Sequence, residues 1–316
     1  MDIDGEFLTD LRNAMLKAAA TTPIFPWPGP PSGFEGKPSC SRMGEHACMR
    51  QVYLNIQVRL HPDEYEVLER AGDQQVPAQR GWVLESTLDH WLTNAVLQGG
   101  LEIRIHRFDP SYVIGPGGHY FGHLDGWAEV YAPGAEESLA RFLLEYKHQR
   151  IMSYHSFLTR GVQATEPLYY AQAQSELACD AIKELGIDAC LFVITPFDVS
   201  GAKGKITMGK RGSKANPYMG ELEDDFRAVP DCSGVNPVFY LELVPSLPTY
   251  QRGLLAWCRT IQKYVDSGQA PPRKYDIGSS GTWQCDYCEM RYACEQAGPC
   301  PGGCEHAYCC KETNDE

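Results

Sequence analysis

Gly122–Gln149 reads G-H-L-D-G-W-A-E-V-Y-A-P-G-A-E-E-S-L-A-R-F-L-L-E-Y-K-H-Q, two β-rich runs separated by a turn-like A-P-G-A-E-E-S segment. Both runs read as strands joined by a short connection. Side chains alternate along a strand, so Glu145 and Lys147 share one face while Leu144 and Tyr146 take the other. Paired as a hairpin, the two runs bring Asp125 beside Glu145. The two carboxylates then offer hard oxygen ligands for Mg²⁺ or Mn²⁺, and Lys147 can orient an attacking water or stabilise charge on phosphate. Glu and Lys on one strand face are more often merely solvated or paired with each other, so the weight of this stretch depends on what flanks it.

On its carboxy-terminal side, H-Q-R-I-M-S-Y-H-S-F-L-T-R-G reads as a polar, aromatic and basic connection able to touch substrate. Leu168–Gly186 follows as a helix closed by a glycine, and residues 189–195 as a buried strand. On the amino-terminal side, Leu101–Phe108 and Tyr120–Tyr131 read as strands around the G-P-G-G turn at 115–118. Residues 62–98 are mostly helical in pattern, with a break at 72–77 and a second helix from about Arg80, R-G-W-V-L-E-S-T-L-D-H-W-L. Glu85 lies four residues after Gly81 on this helix, and His90 lies on a different face. An edge strand at 238–244 and a long helix at 249–267 complete the reading. Helix, three strands, helix, strand is the order of an α/β core.

The 316 residues hold one large domain with attachments, and 43% apolar content is enough for a real core. A net charge of −13 excludes a general nucleic-acid coat protein, because phosphate binding needs positive charge to release counterions. DNA contact must then come from a local basic patch, and the stretch 200–215, with Lys203, Lys205, Lys210, Arg211 and Lys214 among glycines, is the best one. Without a targeting pattern or a membrane-length apolar run, the expectation is a soluble intracellular protein, cytoplasmic or in a host cytoplasm if viral. Residues 5–20 could form a short amphipathic helix, with a Pro/Gly-rich arm to Pro38.

Thirteen cysteines suit metal binding better than a disulfide framework, since Cys285, Cys288, Cys294, Cys300, Cys304, Cys309 and Cys310 crowd into the carboxy terminus. Cys285, Cys288 and Cys294 form C-x-x-C-x5-C, three thiolates that can wrap one metal centre but need a fourth ligand. Zinc and an iron-sulfur cluster both fit sulfur ligation. Cys300, Cys304, His306 and Cys309 could hold a second zinc or be spare groups in a tail.

The combination resembles the RecB-like exonucleases of the PD-(D/E)XK superfamily, particularly their iron-sulfur branch, which includes the AddB nuclease domain and the cysteine-rich CRISPR adaptation nucleases. G-H-L-D-G is similar to the metal-binding aspartate motif at Asp125, and L-E-Y-K to the E-x-K motif at Glu145 and Lys147. Y-Y-A-Q-A-Q resembles the glutamine helix of that family through Gln172, with Tyr169 and Gln174 as further candidates. R-G-W-V-L-E is similar to the first motif of lambda-type exonucleases, placing Glu85 near the metals. Many cluster-bearing relatives have a histidine at this point; the motif-aligned position here is Glu85 rather than His90. The resemblance runs from Cys48, in a C-x-R-x-x-Y context, to Cys294.

The resemblance implies a restriction-endonuclease-like α/β core, a mixed central sheet flanked by helices, with a carboxy-terminal cysteine-rich segment. It implies an amino-terminal helix and arm over 1–38, the nuclease core over 39–284 and a cysteine-rich clasp and tail over 285–316. Cys48, Cys285, Cys288 and Cys294 would close a structural [4Fe-4S] cluster. Glu85, Asp125, Glu145 and the carbonyl of Tyr146 would hold Mg²⁺ or Mn²⁺, with Lys147 and Gln172 completing the catalytic set. The implied activity is DNA exonuclease on single strands or duplex ends, in recombination, repair or phage- or CRISPR-type processing. The competing readings are an endonuclease on the same core, and a DNA-binding protein with a zinc site that recruits a recombinase, helicase or integrase. Tyr154 and Phe157 are candidates for stacking on bases, or equally for the core.

Overall fold

Pro133 and Gly134 make the turn from which the sheet is built. The Ala135 amide donates to the Ala132 carbonyl at 3.0 Å, and Gly134 takes φ 72°, a conformation glycine adopts without steric cost. The turn joins β4 (Gly126–Tyr131) to β5 (Ser138–Gln149). The computed structural model describes residues 30–44, 46–64, 84–90, 92–94, 100–109, 111–149, 151–196, 240–272 and 294.

Five strands form the main sheet in the order β1 (Glu102–His106), β4, β5, β6 (Ala189–Pro196), β7 (Tyr240–Pro245). All neighbours are antiparallel except β5 and β6. A parallel pair requires a crossover, and α3 (Ile151–Thr165), α4 (Pro167–Leu177) and α5 (Asp180–Glu184) lie between the two strands in the chain. Other α-helices among the described residues are α1 (Met49–Leu60), α2 (residues 84–90) and α6 (Pro248–Ser267). The fold is the expected α/β one, a mixed central sheet flanked by helices. The expected edge strand is β7, and the expected long helix is α6.

Both faces of β5 are covered. Leu143 packs with Phe192, Ile194, Phe157 and Leu177 on the side of α3 and α4. Leu144 and Tyr146 pack with Val193, Ala128 and Leu88 of α2 on the other. A separate cluster of Val52, Leu54 and Ile56 with Ile261 packs α1 on α6.

Three local expectations are corrected. Tyr120–Tyr131 is not one strand: β3 (Phe121–His123) pairs with β2 (Tyr112–Ile114) in a two-stranded sheet, and the chain enters the main sheet only at Gly126. The glycines on either side of the break are closely packed. A Cβ at Gly122 would meet the Cys40 Sγ at 2.7 Å, and one at Gly126 would meet the His106 carbonyl oxygen at 2.8 Å. Second, the segment expected as a connection after Gln149 is helical, and of the two alternatives for Tyr154 and Phe157 the core one holds, since both are fully buried. Third, Leu168–Gly186 is two helices, because the chain turns at Ala178 and Cys179 before α5 begins.

The expected helix over 5–20, the basic stretch 200–215, Cys285, Cys288 and the tail cysteines lie outside the described residues. Among the described residues no helix is long and apolar enough to cross a membrane.

Candidate active site

Asp125 lies in the chain between β3 of the small sheet and β4 of the main one, one residue before β4 begins. The register that pairs Gly126 with Leu144 sets it beside the end of β5, and the Tyr146 amide donates to Asp125 Oδ2 at 2.8 Å. Glu145 is 1% exposed. Its Oε1 pairs with Lys147 Nζ, whose side chain is 19% exposed, while its Oε2 is buried with no hydrogen-bond partner. Alternation along β5 turns Glu145 and Lys147 to the α4 side and Tyr146 to the α2 side, as the sequence reading expects. Lys147 Nζ lies 4.9 Å from the centre of the Tyr169 ring, and the Tyr169 hydroxyl accepts from Gln149 Nε2 at 2.8 Å.

Helix α4 supplies the wall over Glu145. Pro167 at its first turn suits the helix start, where the missing N–H is no loss. Gln172 Nε2 donates to Glu176 Oε1 at 3.1 Å. Glu176 is fully buried, and its Oε2 has no hydrogen-bond partner. Gln174, by contrast, points away from the site. It donates to the Pro245 carbonyl and accepts from the Leu247 amide, tying β7 to the start of α6. The sequence reading passed over Glu176; its signal is the four-residue spacing from Gln172, which puts both on one helix face.

Helix α2 closes the opposite side. Leu88 is buried against Leu144 and Tyr146, and Asp89 Oδ1 accepts from the Tyr146 hydroxyl at 2.6 Å. Arg107 pairs with the other Asp89 oxygen. Asp89 and Arg107 were not singled out in the sequence, and neither belongs to a recognisable spacing. Glu85, one turn before Asp89, is half-buried in the field of Asp125, Arg107, Lys147 and Glu145. His90 is exposed, its carbonyl accepting from Asn94.

The electrostatics follow from packing acids together out of water. Burial first, then the Asp125 charge, pushes the Glu85 carboxyl up to about 8. Burial pushes Glu145 up to about 7; Lys147 and hydrogen bonding from Gln172 pull it back. Asp125 is raised by burial, against the pull of Lys147 and the Tyr146 amide. Glu176 is pushed well above the usual carboxylate range by burial and by Glu145. For Lys147, burial favours the neutral amine, but the Glu145 and Asp125 charges outweigh it and hold the ammonium above its ordinary value. The cluster therefore has more acid than cation. This is the condition in which a divalent ion is held, and the buried, unpartnered Glu145 Oε2 is the atom that most needs one. No group of three or more His, Cys, Asp or Glu side chains set to hold a metal ion occurs among the described residues.

The cysteines flank this site at a distance in sequence. Cys48 immediately precedes α1, with no capping hydrogen bond from its side chain. Arg50, in the first turn, donates to the Cys294 carbonyl at 3.4 Å and to the Pro271 carbonyl at 3.2 Å, and Cys294 packs against the α1–α6 cluster.

In fold the chain is similar to the crystal structure of an alkaline exonuclease, LHK-Exo, from Laribacter hongkongensis, at 15% identity and TM-score 0.39, covering 74% of this chain and 93% of that one. It is similar also to LHK-Exo in complex with dAMP, at 14% identity and TM-score 0.43, covering 74% and 89%. At these values the likeness assigns neither an activity nor a residue role to this chain. No protein-family model matches the chain, and no curated protein matches it.

Proposed function

We propose that the protein is a metal-dependent DNA nuclease of the PD-(D/E)XK type that acts as an exonuclease. The observation that carries this is the convergence of Asp125, Glu145 and Lys147 at the end of β5, with one carboxylate oxygen buried and unpartnered. Residues far apart in the chain contribute: Glu85 from α2 and Gln172 from α4 enter the same electrostatic field.

Asp125 and Glu145 would hold one or two divalent ions, with Glu85 and the Tyr146 carbonyl completing the donors. Mg²⁺ or Mn²⁺ bound there would supply Lewis acidity toward phosphate and a more acidic water. In the metal-free site the Glu145 and Asp125 charges favour the ammonium form of Lys147; as a cation it would donate a hydrogen bond to water or phosphate. The Tyr169 ring beneath the ammonium restrains its direction. Gln172 holds Glu145 and orients the site from the helix side. A preference for DNA ends rests on the resemblance to RecB-like and lambda-type enzymes, which mostly act there.

The residues at 285–316 would serve as a clasp on the 39–284 core. Its support is that Cys294 already lies against the helix that Cys48 begins, at the opposite end of the sequence. With Cys285 and Cys288, these thiols would hold a structural [4Fe-4S] cluster. Anaerobic purification should then give a brown, iron-containing protein; stoichiometric zinc without iron would overturn this part.

The test of the activity compares Mn²⁺-dependent cleavage of linear, end-blocked and circular DNA by wild type and Lys147→Ala. Linear DNA alone should be degraded, and the variant should be inert. Cleavage of closed circles would sink the exonuclease reading, and activity indifferent to the substitution would sink the mechanism.

A further inference from the structure

We propose that Glu176 is a positioning residue of this site: by accepting from Gln172 Nε2 it clamps the Gln172 amide in one orientation toward Glu145. The use made of that orientation rests on the nuclease reading above; the clamp itself rests on geometry.

A glutamine amide has the same shape either way round, so only its hydrogen-bond partners decide which end faces which group. Gln172 and Glu176 stand four residues apart on α4, where side chains of one face meet. They are joined at 3.1 Å, with Gln172 at 9% exposure and Glu176 at 0%. Glu176 Oε1 accepts whether the acid is ionised or neutral, so the clamp does not depend on its charge. It takes one hydrogen of the Gln172 amino group and leaves the other available to Glu145, whose ionised form Gln172 favours. A flipped amide would set its own oxygen toward the carboxylates.

The surroundings fix the clamp. Ser175 Oγ donates to the Gln172 carbonyl at 2.7 Å, and the Tyr120 hydroxyl donates to the Ser175 carbonyl at 2.8 Å. A Cβ on Gly122 would come within 3.5 Å of Glu176 Cγ, so the acid also abuts β3, three residues before Asp125. Packing does not call for a carboxylate here. Its second oxygen is buried and unpartnered, which opposes folding, and an isosteric Met would fill the same space. A group that costs stability and binds a glutamine beside Glu145 is explained by what it does to that glutamine.

The experiment uses the full chain with Glu176→Met, Glu176→Gln, Gln172→Ala and the double variant Gln172→Ala/Glu176→Met. Glu176→Met should lower kcat about 10-fold, with KM changed less than about 3-fold and the melting temperature unchanged or raised. Glu176→Gln, whose amide oxygen can still accept from Nε2, should stay within about 3-fold of wild type. In the Gln172→Ala background Glu176→Met should add less than about 2-fold, because the two act as one unit. In metal-free protein labelled with ¹⁵N-glutamine, the Gln172 side-chain NH₂ signals should shift in Glu176→Met and largely return in Glu176→Gln. Independent, additive losses in the double variant would overturn the proposal, as would NH₂ signals that ignore Glu176→Met. If wild type cleaves no DNA, the nuclease reading fails while the NMR shifts still decide the clamp.

Discussion

Glu129 and Glu145 lie on the two arms of one hairpin, 6% and 1% exposed, and their surroundings are opposite. Glu129 is fully provided for. Its Oε2 accepts from the Tyr131 hydroxyl at 2.8 Å and pairs with His106 Nε2 at 2.9 Å, and its Oε1 accepts from Arg141 Nε at 2.9 Å. These donors outweigh burial and hold its carboxyl below the usual range. Glu145 is deeper, has one oxygen unpartnered, shares its region with three other acids and is raised to about 7. A buried acid with every valence met is part of the scaffold. A buried acid left short of partners among other acids calls for an explanation beyond packing, which the proposed metal or substrate would supply.

The contrast is most sharply broken by activity. Lys147→Ala should lower Mn²⁺-dependent cleavage of linear DNA by about 10³-fold, the range expected for a positioned charged group. Glu129→Gln in the same assay should remain within about 3-fold of wild type. Stability should reverse the order. Glu129→Leu strands three donors and should cost about 2 kcal/mol, several degrees in melting temperature. Metal-free Glu145→Gln should melt at or above wild type, because a crowded acid is removed; a clear drop would mean that Glu145 is scaffold too.

A pH series on metal-free protein sharpens the same point. The Glu145 and Glu85 carboxyls move in the folded protein from 4.5 to about 7 and about 8. A raised carboxyl makes the folded state bind more protons than the unfolded chain, so its contribution is present below 4.5 and lost as pH rises through those values. Calorimetry should show the melting temperature falling between pH 5 and 8, with Mg²⁺ or Mn²⁺ flattening the fall. Glu129 has the opposite sign: its contribution is lost as pH drops below the ordinary carboxylate range. The smallest effect should come from Tyr169. Phe there keeps the ring beneath Lys147 and loses only the Gln149 contact, so kcat should change by less than about 3-fold, whereas Leu, which removes the ring, should cost somewhat more.

Much of the hairpin could be read directly. Period-two alternation separated Glu145 and Lys147 from Leu144 and Tyr146, and the Pro-Gly turn announced where the strands fold back. The same periodicity misread Tyr120–Tyr131 as continuous, because nothing local reveals that Gly122 and Gly126 are pressed against Cys40 and His106. Tyr154 and Phe157 read equally well as surface aromatics, and only their burial beneath the sheet removes that choice. Glu176 was invisible for a related reason. A glutamate in a helix is usually solvated, and only the packing of its helix shows that Glu176 is fully buried and bonded to Gln172.

The sequence by itself determined the α/β class, the glycine-flanked aspartate, the E-x-K strand and the glutamine helix, since these depend on residue type and on spacing along the chain. Only the tertiary structure decided that Asp125 accepts from the Tyr146 amide, that four acids crowd one lysine, and that Glu129 is satisfied while Glu145 is not. The physical reason is that desolvation and charge crowding depend on distances through space, and a strand pattern carries none of them.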